Sequence, residues 1–172
     1  MKFLALALAA SLLSGCMQPR PSPESGIAPN GGAMGFVETA PARHSISSSS
    51  TTSGFGVALN DLRARYGMGA LREDRRLSAA AQAFAEDMAR HGYHSHYGRD
   101  GSDIVTRVQG AGCRGGGHFA ENIAWGQDTA QDSLSGWFAS PHHRDNMLSR
   151  KYGVYGLGQA GGVWVLDFAG GC

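Results

Sequence analysis

The spacing of apolar residues changes along this chain, and each change marks an element. An apolar run from Phe3 to Leu13 follows Lys2. It is shorter than the roughly 20 residues that cross a bilayer and matches the apolar part of an export signal. From Met17 to Ser53 large apolar side chains are scarce, and Pro19, Pro21, Pro23, Pro29 and Pro41 are followed by a serine- and threonine-rich run. Such a stretch cannot bury enough surface to offset the entropy of ordering it, so it reads as a disordered tether.

Order is expected from about Phe55. Phe55, Leu59, Leu62 and Tyr66 share one face of a helix that Gly67 stops. Leu77, Ala81, Phe84 and Met88 repeat the spacing, with Glu86, Asp87 and Arg90 towards water and Gly92 as the stop. Asp100 to Ser102 are positioned to cap a short helix carrying Ile104, Val105 and Val108, after which Gly110, Gly112 and Gly115 to Gly117 force a loop. Phe119 to Trp125 reads as a strand or, over Ala120 to Ala124, as an irregular segment. Thr129 and Asp132 form a capping pair ahead of Leu134, Trp137 and Phe138, and Pro141 ends or redirects that helix before a further turn to Leu148. The period then becomes two: Tyr152, Val154, Gly156 and Gly158 alternate with Tyr155 and Leu157, and Val163 to Phe168 follow Gly161 and Gly162. A hairpin with a two-glycine turn is predicted. This order gives an α+β fold with a small, largely antiparallel sheet packed against helices.

A chain of 172 residues holds one ordinary domain plus a leader and a linker. The divisions are 1–15 for the signal peptide, 16–53 for the tether and 54–172 for the domain. Net charge is +1 and the only lysines are Lys2 and Lys151, so no basic stripe exists for a phosphate backbone and nucleic acid is excluded as a main partner. Leu13, Ser14, Gly15 and Cys16 resemble the lipobox of bacterial lipoproteins. That resemblance implies lipidation of Cys16, a membrane partner and a place in the cell envelope, with Gln18 favouring the outer membrane or periplasmic face. Cys113 and Cys172 then remain in an oxidising compartment and are expected to pair, which stabilises the fold by about 4 kcal/mol in the chain-entropy model.

Six of the seven histidines lie between His91 and His143, and imidazole binds metals, carries protons and pairs with carboxylates. His91 and His118 read as capping or solvent-facing residues. Glu121 is the only charged residue from Phe119 to Trp125; it either ties loops together through backbone hydrogen bonds or belongs to a site. The run SPHHRDNML from Ser140 to Leu148 is either a helix start with solvated charges or a site element. Cys113 with His118 as base is a weaker arrangement, because Cys172 offers a disulfide instead. Metalloprotease, nucleophile-elbow, dithiol and phosphate-loop motifs are missing.

Three blocks, SHYGRDG from Ser95, ENIAWG from Glu121 and WFASPHHRDNML from Trp137, resemble the signatures of the CAP superfamily in its bacterial SCP-like branch. This superfamily comprises cysteine-rich secretory proteins, antigen 5 and pathogenesis-related proteins. The resemblance implies an α-β-α sandwich. It also maps His96, Glu121 and His143 onto a cleft, with Asn122 and His142 beside them. Some members hold a divalent metal there, and two imidazoles with one carboxylate make an open site for zinc or another divalent metal. Two departures stand out: His142 occupies a position where bacterial members usually have glycine, and Ser140 lies where many eukaryotic members carry a second glutamate. The function implied is a binding or interaction module for a small ligand or an envelope component. The alternative is a metal-dependent hydrolase using the same cleft.

Overall fold

The computed structural model describes residues 54–172. The export signal, lipidation at Cys16 and the tether fall outside these residues. In chain order the elements are α1 (Phe55–Arg65), β1 (Arg72–Glu73), α2 (Arg75–His91), α3 (Ile104–Gly110), a 3-10 turn (Gly115–Gly117), β2 (Phe119–Trp125), α4 (Ala130–Ala139), α5 (Pro141–Met147), β3 (Val154–Ala160) and β4 (Val163–Ala169). The four strands form one sheet in the order β1-β3-β4-β2, antiparallel apart from the parallel β1–β3 pair.

Alternation along the strands sorts side chains into two cores, one on each face of the sheet. Trp164, Leu166 and Phe168 of β4 pack with Phe55 and Leu59 of α1, Leu134 and Trp137 of α4 and Met147 of α5. Val163 and Val165 face the other way, onto Ala81, Phe84, Ala85 and Met88 of α2. Leu77 and Ala80 of α2 meet Val108 of α3 beside Ala169. The result is the expected three-layer sandwich. Helix α2 lies close to β3 because the strand presents glycine there: a Cβ at Gly156 would come within 2.2 Å of the backbone of Leu77 and Ser78, and one at Gly158 within 2.3 Å of Ala81 and Gln82.

The hairpin has the predicted two-residue turn. Ala160 pairs with Val163, and Gly161 and Gly162 both take positive φ, 54° and 79°, which side chains resist. Pro141 plays both of its expected roles: α4 ends at Ser140, and the proline opens α5 at its first position. Cys113 and Cys172 form the expected disulfide, with Cα atoms 4.7 Å apart.

Three details differ from the sequence expectation. Strand β1 was not predicted, since two residues carry no period. The cap of α3 is Asp103, which accepts from Thr106 N–H at 2.8 Å, whereas Asp100 closes its own turn onto Ser102 N–H. Tyr66 lies past the end of α1 and is half exposed, resting on Phe138 with ring centroids 5.4 Å apart, because Tyr66 is the C-cap residue and no longer follows the helical face.

Candidate functional site

Strand β2 is the edge of the sheet on which the candidate residues meet. Its alternation turns Ile123 towards α2 and places Ala120 and Ala124 against the core of α1 and α4. Glu121 shares the face of Ile123, and Asn122 shares that of Ala124.

Glu121 has its side chain 3 % exposed, so its charge must be met by donors within the protein. Both carboxylate oxygens are met. His96, in the segment between α2 and α3, places Nδ1 2.8 Å from Oε1. Arg107 of α3 donates through a guanidinium nitrogen to Oε2 at 2.6 Å. The same guanidinium donates to the carbonyls of Ser102 at 2.8 Å and His96 at 3.3 Å, and lies 3.5 Å from the centroid of the Phe84 ring. It therefore fixes both the carboxylate and the backbone that carries the histidine. The hydrogen bond to Glu121 raises the His96 pKa above its ordinary value, against the opposing effect of burial. That imidazole remains 59 % exposed, with Nε2 left for a further partner.

Asp167 of β4 stands directly across the ladder from Glu121 and is buried. Burial, followed by the nearby Glu121 charge, pushes its carboxyl well above the usual carboxylate range, so this group holds its proton to higher pH than an exposed aspartate.

On the other face, Asn122 is fully buried. Its amide donates to the His143 carbonyl at 3.1 Å and accepts from Asn146 at 2.9 Å. Both ends of the amide are used to dock α5 on the strand. Asn122 thus positions His143 and, at 0 % exposure, presents no surface to a ligand. His143 lines a cavity of about 290 Å³ together with Ser140, Trp137, Gln127 and the β2 residues Ile123 and Trp125. Burial pushes its imidazole below the ordinary histidine value, with the charges of His96 and His142 acting in the same direction. His142, one residue earlier, is exposed and does not line that cavity.

The structure joins His96 to Glu121 and places His143 near enough for the His96 charge to be felt, but on the α5 side of β2. Among the described residues, no three His, Cys, Asp or Glu side chains are grouped to hold one metal ion. Glu121 is buried and paired to the permanent cation of Arg107, with His143 across the strand, so His96, Glu121 and His143 are not grouped to fit one metal ion in this arrangement. Sequence reasoning missed Arg107 and Asp167. Each had a signal: Arg107 sits between Ile104 and Val108 on a short apolar helix, and Asp167 interrupts the otherwise apolar run Val163 to Phe168. It also missed the stacking of His94 on Trp125, with centroids 4.4 Å apart and planes 13° from parallel.

The model of the cysteine-rich secretory protein family, CAP, matches residues 57–166, a stretch that includes β2, both cleft histidines and most of the sheet. The chain belongs to this family. The CAP domain is 31% identical over 115 residues to YkwD of Bacillus subtilis, a protein described as uncharacterized; the match takes in 64% of this chain and 44% of YkwD. The chain thus spans less than half the length of that relative. An extracellular SCP-domain protein from Bacillus anthracis superposes with a TM-score of 0.64 at 25% identity, over 67% of this chain and 38% of that one. An outer surface protein of Borrelia burgdorferi superposes with a TM-score of 0.65 over 72% of this chain and 95% of its own, at 16% identity, a level that shows the fold alone.

Proposed function

We propose that this CAP protein is an exported, lipid-anchored binding module of the cell envelope, and that its cleft at the β2 edge recognises a small ligand or an envelope component. The observation that carries this reading is the state of Glu121. A general base or metal ligand must present its carboxylate to a partner, and here Glu121 is buried with Arg107, a permanent cation, on one oxygen and His96 on the other. What remains for a partner is one imidazole on each side of the strand, His96 with its pKa raised and His143 with its pKa lowered. Between those two values the cleft offers one cationic and one neutral ring, a pattern suited to recognition by hydrogen bonds and charge. Export is supported by the extracellular character of the Bacillus anthracis SCP-domain protein matched at 25% identity, and anchoring by the lipobox-like residues ending at Cys16.

Metal-dependent hydrolysis is the competing use of the same cleft. Native mass spectrometry with elemental analysis, on full-length protein extracted from its own membranes without chelator, separates the two. The binding reading predicts a co-purifying organic molecule that is lost in His96→Ala, together with zinc well below one equivalent. One equivalent of zinc, lost in His96→Ala and accompanied by peptide hydrolysis, would overturn it.

A further inference from the structure

A second cavity, of about 490 Å³, lies at the end of β2 opposite Trp125, and none of the cleft residues lines it. Its lining includes three exposed cationic side chains. Arg114 and His118 flank the 3-10 turn between α3 and β2, and Lys151 comes from the connection between α5 and β3. Among the described residues none of the three is in an ion pair, and no aspartate or glutamate lines the cavity. A terminal carboxylate on Cys172, which also lines it, offsets one charge and leaves the lining positive.

The fold holds these cations together. Gly170 N–H donates to the carbonyls of Gly115 at 3.1 Å and His118 at 3.0 Å, and Gly153 N–H donates to that of Ala169 at 2.9 Å. The Cys113–Cys172 disulfide closes the same corner. Glycine makes the close approach possible: a Cβ at Gly153 would come within 2.8 Å of the Gly170 carbonyl oxygen, and one at Gly170 within 3.1 Å of that of Gly115. Gly115 and Gly116 also take positive φ, 70° and 58°, which other residues resist. Arg114 and Lys151 are thereby kept on one cavity against their mutual repulsion, which an anion between them relieves.

We propose that this corner binds the phosphate group of a phosphomonoester, at a site separate from the cleft of His96 and His143. It stands without the binding reading of that cleft. A guanidinium takes two oxygens through its planar fork, while an ammonium and an imidazole N–H each donate to one. A phosphomonoester spreads its charge over three terminal oxygens and matches this mixed donor set, whereas a carboxylate has two oxygens in one plane and leaves a donor unmatched. All three donors are exposed, so the ester substituent can project into water. The source of the group is either the headgroup of an anionic lipid or free phosphate.

The test is a histidine-resolved NMR titration of the full chain with inorganic phosphate at one fixed pH and ionic strength. A saturable shift of the His118 ring is expected, with His96 and His143 unmoved. Arg114→Gln and Lys151→Gln should each weaken phosphate roughly tenfold, the low end for a hydrogen bond to a charged group. Both side chains are exposed, and an unchanged remaining spectrum shows that each variant is folded. Acetate over the same range should not saturate. Dihexanoyl phosphatidic acid, below its micelle concentration, then separates the sources: tighter binding than inorganic phosphate assigns a lipid headgroup, equal or weaker binding assigns free phosphate, and either upholds the site. Absence of saturation, unchanged affinity in either variant, acetate binding as tightly as phosphate, or shifts at His96 or His143 in place of His118 would each overturn the assignment. The cleft histidines are read in the same spectra, so a failure here leaves the binding reading untouched.

Discussion

Arg107 is the residue on which the cleft depends most. It neutralises a carboxylate that is almost fully buried, covers Phe84 and holds the His96 carbonyl. Arg107→Met keeps the aliphatic stem but leaves the Glu121 charge without its cation. Breaking a buried pair from one side costs about 3–5 kcal/mol, so urea unfolding should show a loss of that order and His96 should lose its fixed orientation. Asp167 gives a test with a definite sign. Its pKa is raised on folding, so the native state holds a proton that the unfolded chain releases above the ordinary carboxylate value, and stability falls as pH rises through that range. Asp167→Asn does not titrate. The variant should therefore gain on the wild type in unfolding free energy as pH rises above the ordinary carboxylate range, and a gain that shrinks with rising pH would contradict the assignment.

At the level of elements, the sandwich is set by where glycine permits contact. Gly158→Ala would drive a methyl into the backbone of α2 at Ala81 and Gln82. Overpacking of this kind costs about 1–3 kcal/mol or more, and a lowered thermal midpoint checks it. Nearly every element was legible from sequence because each carries a period or a stop: the apolar face of α2 ends at Gly92, and the hairpin turns at Gly161 and Gly162. Strand β1 was not, since two residues paired to a distant strand leave no local pattern. The site was half legible for the same reason. His96, Glu121 and His143 stand in blocks with a recognisable order, whereas Arg107 and Asp167 reach Glu121 only through tertiary contact and sit in segments that look merely apolar. The sequence also could not say that Glu121 would be buried with His96 on one oxygen and Arg107 on the other, where it orients His96.

For the whole molecule, the disulfide ties the last residue to the glycine loop ahead of β2. Gly170 N–H reaches the carbonyls of both Gly115 and His118 in the same corner. Cys113→Ser with Cys172→Ser should lower unfolding free energy by about 4 kcal/mol under the chain-entropy model, and a change below about 1 kcal/mol would show that the hydrogen bonds alone hold this corner. At β2 an imidazole from the α2–α3 segment and one from α5 flank a single strand. Their opposite titration shifts make the arrangement measurable. Stability contributed by His96 is full below pH 6.5 and fades as pH rises through its raised folded value. That contributed by His143 is full above pH 6.5 and fades as pH falls through its lowered one.

Histidine-resolved NMR across this pH range, with and without one equivalent of zinc, is the most direct measurement. The account predicts a His96 midpoint above 6.5 that returns towards 6.5 in Glu121→Gln, a His143 midpoint below 6.5, and no joint response of the two rings to zinc. A His96 midpoint indifferent to Glu121→Gln, or stoichiometric zinc moving both rings together, would contradict it.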